Sequence, residues 1–188
     1  MSAAAPKEAD RRLVDVMVDY QKGEMEGFEQ LFHALATSVR NYLASLCRDF
    51  GRAEDLLQET FLQVHRSRHT YSPPRPVKPW IFGIARYVYL MDRRSKIRKS
   101  KFETTANAEL PELPVDSISE GLPVTDDLLR ALDEVPEDRR EAVLLHHVWG
   151  FSFREIGAML GISERAAKLR SFRGIQALRA SMAERETG

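Results

Sequence analysis

The 188-residue chain has very little cysteine, no long apolar run and no excess of charge of either sign. Cys47 is the single cysteine, so no disulfide can form within the chain, and its apolar helical surroundings favour a small core residue. The apolar runs are too short for a transmembrane segment, and the N-terminus lacks the apolar core of a signal peptide. We therefore expect a soluble, cytoplasmic protein that does not insert into a membrane.

Signatures of enzymes and metal sites are also missing. The chain has no glycine-rich phosphate loop. His65 and His69 have a spacing that metal ligands use, but no cysteine or acid set completes a site. Asp55 and Glu59 occur without a nucleophile or a pocket motif, and the basic segments lack the clustered acids of a metal-dependent nuclease. We expect a non-enzyme without catalytic residues, metal or cofactor.

Charge is distributed unevenly although it sums to zero. Residues 86–101 carry seven Lys or Arg and one acid, and residues 103–129 carry seven acids and no Lys or Arg. Residues 154–185 carry seven basic residues and three acids. The pattern predicts two cationic modules with an anionic spacer, and the prolines of that spacer favour a flexible linker over residues 100–125.

Apolar residues recur at helical spacing, and no strand-like alternation of any length appears. Gly23 separates a first amphipathic stripe from a second, which Gly51 is expected to end. After a third stripe and a proline-rich loop (YSPPRPVKP), Trp80 is expected to open another helix. Helices are expected to resume near Asp126.

These patterns predict an all-α protein with two helical domains. The first domain spans residues 1–99, and the second spans residues 126–188 beyond the acidic linker.

The most specific local pattern lies near the C-terminus. Residues 153–160 predict a short helix, Gly161 suits the left-handed residue that ends it, and Ser163 can cap the next helix. This is the helix-turn-helix layout, which places the helix from Glu164 against DNA. The same layout also occurs in helical proteins that do not bind DNA. The residues expected to contact DNA here are Ser163, Arg165, Lys168, Arg170 and Arg173.

The helix expected from Trp80 combines aromatic and basic side chains. This combination suits single-stranded DNA, because unpaired bases stack on rings while cations follow the backbone. Trp80 taken alone is equally consistent with a core anchor. The DNA contacts expected in this segment are Lys78, Trp80, Arg86, Tyr87, Arg93, Arg94 and Lys96.

Across nearly its whole length, the chain resembles the extracytoplasmic-function (ECF) sigma factors of bacterial RNA polymerase. The helix with which this family docks on the polymerase clamp is similar to RAEDLLQETFLQVHR. KPWIFGIARYVYLMDRRSK resembles the segments with which the family melts and holds the promoter −10 element. The stretch from LDEVPEDRR to IQALR resembles the family's region 4, which recognises the −35 element. The core polymerase contacts implied by this resemblance are Glu54, Asp55, Gln58, Glu59 and Phe61.

The resemblance implies a factor that binds core RNA polymerase and directs it to promoter DNA, both as duplex and as melted single strand. It also implies control by an anti-sigma factor. The alternative is a helix-turn-helix regulator that acts without docking on core polymerase. Such a regulator needs a receiver or ligand domain, and the N-terminal half shows no α/β pattern. The family's usual Asn after Ile-Ala-Arg is Tyr87 in this chain.

The segment that follows the capping residue Ser163 is ERAAKLRSFRG, and it differs from the pattern that is usual in the family. Ala167, Ser171 and Gly174 occupy positions expected to face the core, and Leu169 and Phe172 occupy positions expected to be exposed. A glycine inside a helix costs about 1 kcal/mol relative to alanine. We hypothesise either a rotated recognition helix or an apolar patch that contacts an inhibitory regulator.

Overall fold

The computed structural model describes residues 8–103 and 131–186. Within these ranges the chain is helical with short connections and contains no strand, which confirms the all-α prediction. The chain divides into two compact units between Leu113 and Pro114. The first residues of the predicted linker, 100–103, are helical, and the rest of it, together with the helix expected near Asp126, lies outside the described ranges.

The described part of the N-terminal unit, residues 8–103, contains four α-helices and a single turn of 3-10 helix. The helices are α1 (Glu8–Gln21), α2 (Met25–Cys47), α3 (Phe50–Ser67) and α4 (Val77–Glu103), and the 3-10 turn is Arg68–Thr70. Their apolar faces meet in a core in which the rings of Tyr42 and Phe82 stack with centroids 5.1 Å apart. Fully buried members of this core include Met17, Leu31, Val39, Val64 and Ile81.

The break between α2 and α3 lies at Arg48 and Asp49. Arg48 adopts the left-handed conformation, with φ 55°, and its backbone N–H donates to the carbonyl of Ala44. The Asp49 carboxylate accepts a hydrogen bond from the Arg52 N–H at 2.9 Å and caps α3. The prediction that Gly51 ends the run is wrong, because this cap starts α3 before Gly51, which lies in its first turn.

Helix α4 begins at Val77, so the prediction that Trp80 opens it is wrong by three residues. Pro79 lies in the first turn, where its missing N–H costs no intrahelical hydrogen bond. Ile81, Ala85 and Val88 are buried on one side of α4, whereas Met91 is 38% exposed.

In the C-terminal unit, residues 131–134 are helical and precede α5 (Glu137–His147), α6 (Phe153–Leu160) and α7 (Glu164–Glu186). Pro136 is the N-cap of α5 and precedes its first helical residue, Glu137. The core of this unit includes Leu145, Ile156 and Ala167, all fully buried.

Helix α7 packs closely against α5 at Gly174. A Cβ atom at this position would lie 2.5 Å from Val143 Cγ2 and 3.0 Å from the carbonyl oxygen of Arg139. Ala167 and Ser171 are buried on the same side of α7. The prediction that these small residues face the core is confirmed, and the absence of a side chain at Gly174 permits the close helix contact.

Candidate functional site

One side of α3 presents acidic and amide groups to solvent. Its exposed members are Glu54, Asp55, Gln58 and Glu59. Phe61, which was expected to belong to this set, points into the core. Its side chain is 2% exposed, and its ring packs edge-on against Phe32 with centroids 4.8 Å apart.

The exposed apolar residue beside these acids is Leu62, which is 43% exposed. It follows Gln58 by four residues and Glu59 by three, so all three side chains are neighbours on the helix surface. The sequence contains a signal for this position, because Leu62 falls outside the helical stripe of Leu57, Phe61 and Val64. We call the exposed residues Glu54, Asp55, Gln58, Glu59 and Leu62 the α3 face.

Arg52 and Asp92 link the start of α3 to the middle of α4. The Arg52 guanidinium donates two hydrogen bonds to the Asp92 carboxylate, one of them from Nε at 3.3 Å. The hydrogen bond to Asp92 is the main cause that raises the pKa of Arg52. Lys96 Nζ, also on α4, lies 3.7 Å from Asp92. The single acid of the basic segment therefore has two basic partners, and its contact with Arg52 holds α3 against α4.

A groove of about 500 Å³ runs between α3 and α4. Asp55 and Glu59 line one wall, and Tyr87 and Met91 line the other. The groove therefore places carboxylates along one flank of α4.

On the solvent-exposed side of α4, beginning at the groove, aromatic and basic residues share a line. Trp80, Tyr87 and Arg94 recur at intervals of seven residues, which brings them onto one side of the helix over a length of about 21 Å. Tyr87 is 55% exposed, and Arg94 is also exposed. Trp80 is half-buried, and its ring packs edge-on against Tyr71 with centroids 5.4 Å apart.

Arg86 and Arg93 form a second line, adjacent to the first and farther from the groove. They too are seven residues apart, and Arg93 is exposed while Arg86 is half-buried. We call these two lines together the α4 ridge.

The two lysines expected to contact DNA lie elsewhere. Lys78 and Lys96 are five helical turns apart, so they share a line with each other and not with the α4 ridge. Lys78 Nζ lies 5.9 Å from the ring centroid of Phe82, and Lys96 pairs with Asp92. The structure therefore separates these lysines from the other expected contacts of this segment.

The predicted helix-turn-helix is present in the C-terminal unit. Ser152 and Glu155 form a capping box that starts α6. Gly161 ends the helix in the left-handed conformation with φ 67°, and the Ser163 hydroxyl accepts a hydrogen bond from the Ala166 N–H at 3.1 Å. Each of these local features follows the residue types in the sequence.

The outward side of α7 combines basic and apolar residues. Arg165, Lys168 and Arg173 are exposed, and no ion pair holds them within the described part of the chain. Leu169 is 45% exposed and Phe172 is 59% exposed, which confirms the prediction that both face solvent. We call these five residues the α7 face.

Arg170 is placed differently from the other basic residues of α7. Its Nε lies 3.4 Å from a carboxylate oxygen of Asp138, which belongs to α5. The side chain is half-buried and is directed toward the helix that supports α7.

Residues that could hold a metal do not converge in the described ranges, where no three His, Cys, Asp or Glu side chains form a cluster. His65 instead shares a hydrogen bond of 2.6 Å with the Tyr20 hydroxyl. Among the described helices, none combines the length and the apolar character needed to cross a membrane.

Comparison with known proteins identifies the family. The chain matches the family Sigma-70 region 2 over residues 31–99 and the family Sigma-70, region 4 over residues 125–178. It is 38% identical over 170 residues to RNA polymerase sigma factor CarQ of Myxococcus xanthus, covering 90% of this chain and 97% of that protein. The chain belongs to the ECF sigma factors of RNA polymerase.

A second relative of this sigma factor is ECF RNA polymerase sigma factor SigM of Bacillus subtilis, which is 30% identical over 156 residues. That match covers 81% of the sigma factor and 93% of the relative. Sigma factors direct RNA polymerase to promoters, so the family and the role in transcription predicted from the sequence are confirmed.

Solved structures show the same fold. The sigma factor RpoE, in complex with the anti-sigma factor NepR from Bartonella quintana, matches with a TM-score of 0.69 at 24% identity. That match covers 83% of this sigma factor and 96% of RpoE. CnrH, in complex with the cytosolic domain of CnrY, matches with a TM-score of 0.66 at 20% identity over 94% of this sigma factor and 99% of that chain.

Proposed function

We propose that this sigma factor binds core RNA polymerase through the α3 face, captures the melted −10 element on the α4 ridge and docks on the −35 duplex through the α7 face. The observation that carries the proposal is the separation of charge within the N-terminal unit. Acidic groups occupy the exposed side of α3, whereas aromatic and basic groups occupy a side of α4 that begins at Tyr87, on the opposite wall of the groove, and extends away from the groove. A protein partner and a nucleic acid therefore have distinct surfaces.

On the α3 face, the carboxylates steer a basic partner, and the apolar side chain of Leu62 supplies a contact that excludes water. Glu54 is already oriented by Arg40, whose Nη1 lies 3.8 Å from its carboxylate. Phe61 is proposed to support this surface from below, because its ring fills the core directly behind the exposed residues.

On the α4 ridge, unpaired bases stack on the exposed rings, and the arginines follow the phosphates. The carboxylates of Asp55 and Glu59 repel a phosphate backbone from the groove side of α4. A captured strand is therefore expected to follow the side that carries Arg86 and Arg93. Lys78 and Lys96 contribute long-range attraction and no direct contact in this arrangement.

On the α7 face, Arg165, Lys168 and Arg173 neutralise phosphates or grip guanine edges in the major groove. Ser163 caps the helix and presents its first turn to the duplex. Arg170 acts as a positioning residue through Asp138.

The domain boundaries at residues 99 and 126, with the linker 100–125 between them, belong to the same proposal. Two modules on one chain raise the effective concentration of the second once the first has bound. Family membership further supports a cytoplasmic protein that an anti-sigma factor holds inactive and that catalyses no covalent reaction itself.

Run-off transcription tests the proposal. Core polymerase, the purified protein and a genomic promoter library are combined, and the transcripts are sequenced. New transcripts that start downstream of a shared two-element motif are expected. Duplex binding without core binding and without new transcripts would favour the helix-turn-helix regulator.

A charge-reversal variant provides the matched control. The double substitution Asp55→Lys and Glu59→Lys is expected to abolish core binding and new transcripts. Duplex binding by the C-terminal unit remains, because α7 is unchanged.

A further inference from the structure

Leu169 and Phe172 lie at the centre of the outward side of α7. They are three residues apart and are therefore neighbours on the helix surface. Ala167, Ser171 and Gly174 occupy the opposite, buried side. At Gly174, α7 packs so closely against α5 that there is no room for a Cβ atom. This contact fixes the rotation of α7 about its own axis, so the side chains of Leu169 and Phe172 face outward.

Cations surround this apolar centre. Arg165 precedes it, Lys168 flanks it and Arg173 follows it. Between residues 164 and 183 the only acid is Glu164, which lies in the first turn of α7. A positive rim around two apolar side chains complements a DNA duplex, in which phosphates border a groove of base edges.

The apolar group that base edges offer in the major groove is the C5-methyl of thymine. The Cα atoms of Leu169 and Phe172 are separated by about 4.5 Å along the helix axis, close to the spacing of about 3.4 Å between stacked bases. The two side chains can therefore reach methyl groups of neighbouring base pairs.

We infer that Leu169 and Phe172 determine promoter specificity by packing against thymine methyl groups of the −35 element. This inference rests on the proposed docking of the α7 face on −35 duplex. It assigns the apolar residues that interrupt the basic surface to sequence recognition. The competing occupant of the same patch is an inhibitory protein.

Replacement of thymine by deoxyuridine tests the inference, because it removes the methyl group and preserves base pairing. Each thymine of the −35 duplex is replaced in turn, and affinity for the full-length protein is measured by fluorescence anisotropy at constant salt. Replacement at one or two positions is expected to weaken binding about three- to tenfold, the effect of losing the burial of one or two methyl groups.

The variants Leu169→Ala and Phe172→Ala identify the reader of each methyl group. For each variant, replacing thymine by uracil at the base pair that the removed side chain contacts is expected to leave the affinity unchanged. The control is Met182→Ala, which truncates another exposed apolar residue of α7 and is expected to keep the full sensitivity.

Four results would overturn the inference while leaving −35 docking intact. The first three are duplex binding that is insensitive to every uracil replacement, variants that keep the wild-type sensitivity, and a −35 element without any A·T pair. A fourth is variants that bind duplex normally but escape an anti-sigma factor, which assigns the patch to that protein. Failure of the wild-type protein to bind any −35 duplex contradicts the proposed function itself.

Discussion

Arg170 lies 3.4 Å from Asp138 and connects the recognition helix α7 to its support α5. Both side chains are partly exposed, so the pair contributes at most about 1 kcal/mol to stability. Its significance is directional, because the contact turns this guanidinium away from the side of α7 that carries Arg165 and Lys168. Although Arg170 lies within a run of basic residues, its side chain therefore stabilises the contact between α7 and α5.

The salt dependence of duplex binding separates these two roles. Loss of a phosphate contact lowers the slope of log affinity against log salt by about 0.9. Arg165→Ala and Lys168→Ala are therefore expected to lower the slope, whereas Arg170→Ala leaves it unchanged and weakens binding less than about threefold. Anisotropy titrations at several salt concentrations measure the slope, and an equal reduction in all three variants would contradict the assignment.

Phe61 and Leu62 are adjacent in sequence, but alanine substitutions at the two positions are expected to change different properties of the protein. Phe61→Ala removes a buried ring and is expected to lower the free energy of unfolding by about 3–5 kcal/mol. Leu62→Ala is expected to change it by no more than about 0.5 kcal/mol and to weaken binding to core polymerase. Urea unfolding and a core-binding titration distinguish the two, and normal core binding by a folded Leu62→Ala protein would remove Leu62 from the α3 face.

Gly174→Ala reverses the usual effect of this substitution. In a helix interior the change normally stabilises by about 1 kcal/mol, but here the new Cβ collides with Val143. We expect a net destabilisation of about 1–3 kcal/mol, typical of an overpacked core. Urea unfolding followed by Trp149 fluorescence in a Trp80→Phe background isolates the C-terminal unit.

The background variant Val143→Ala is the control for this collision. Introducing Gly174→Ala into that background is expected to cost less, since the atom nearest to the new Cβ has been removed. An increase in stability on Gly174→Ala in the wild-type background would show that α5 and α7 are not in close contact.

The stability of the C-terminal unit is expected to depend on His147. Desolvation and, to a smaller extent, the neighbouring His146 lower the pKa of His147 in the folded protein. The unfolded chain therefore takes up this proton first as the pH falls, so the free energy of unfolding decreases below about pH 6.5 and is retained in full above it. His147→Gln is expected to flatten this dependence in urea titrations at pH 5.5 and 7.5, and an unchanged dependence would exclude His147 as its source.

Periodicity in the sequence was sufficient to predict the helices and the two-unit architecture, because each buried face follows the 3.6-residue repeat. The helix ends were harder to place. Asp49 starts α3 through a side-chain cap, which competes with the breaker signal of Gly51. The sequence predicts Pro79 as the last residue of the loop, yet the first turn of a helix tolerates proline.

The candidate surfaces were predictable as segments and less so as individual residues. The motif with Phe61 located the correct helix, but which of two adjacent apolar residues faces solvent depends on how α3 packs. The contact of Arg170 with Asp138 joins residues from different helices, and no local pattern in the sequence encodes it. The reason for glycine at position 174 is likewise a tertiary contact.

The most direct test of the central claim, that separate surfaces serve polymerase docking and strand capture, is transcription from matched duplex and pre-melted templates. One variant carries Asp55→Lys with Glu59→Lys, and the other carries Tyr87→Ala with Arg94→Ala, all at exposed positions. We predict that the α4 variant loses activity on the duplex template and regains part of it on the pre-melted one, because pre-melting removes the cost of strand opening while the remaining residues of the α4 ridge still hold the strand, whereas the α3 variant is inactive on both. Normal transcription by the α3 variant, or no rescue of the α4 variant by pre-melting, would contradict the account.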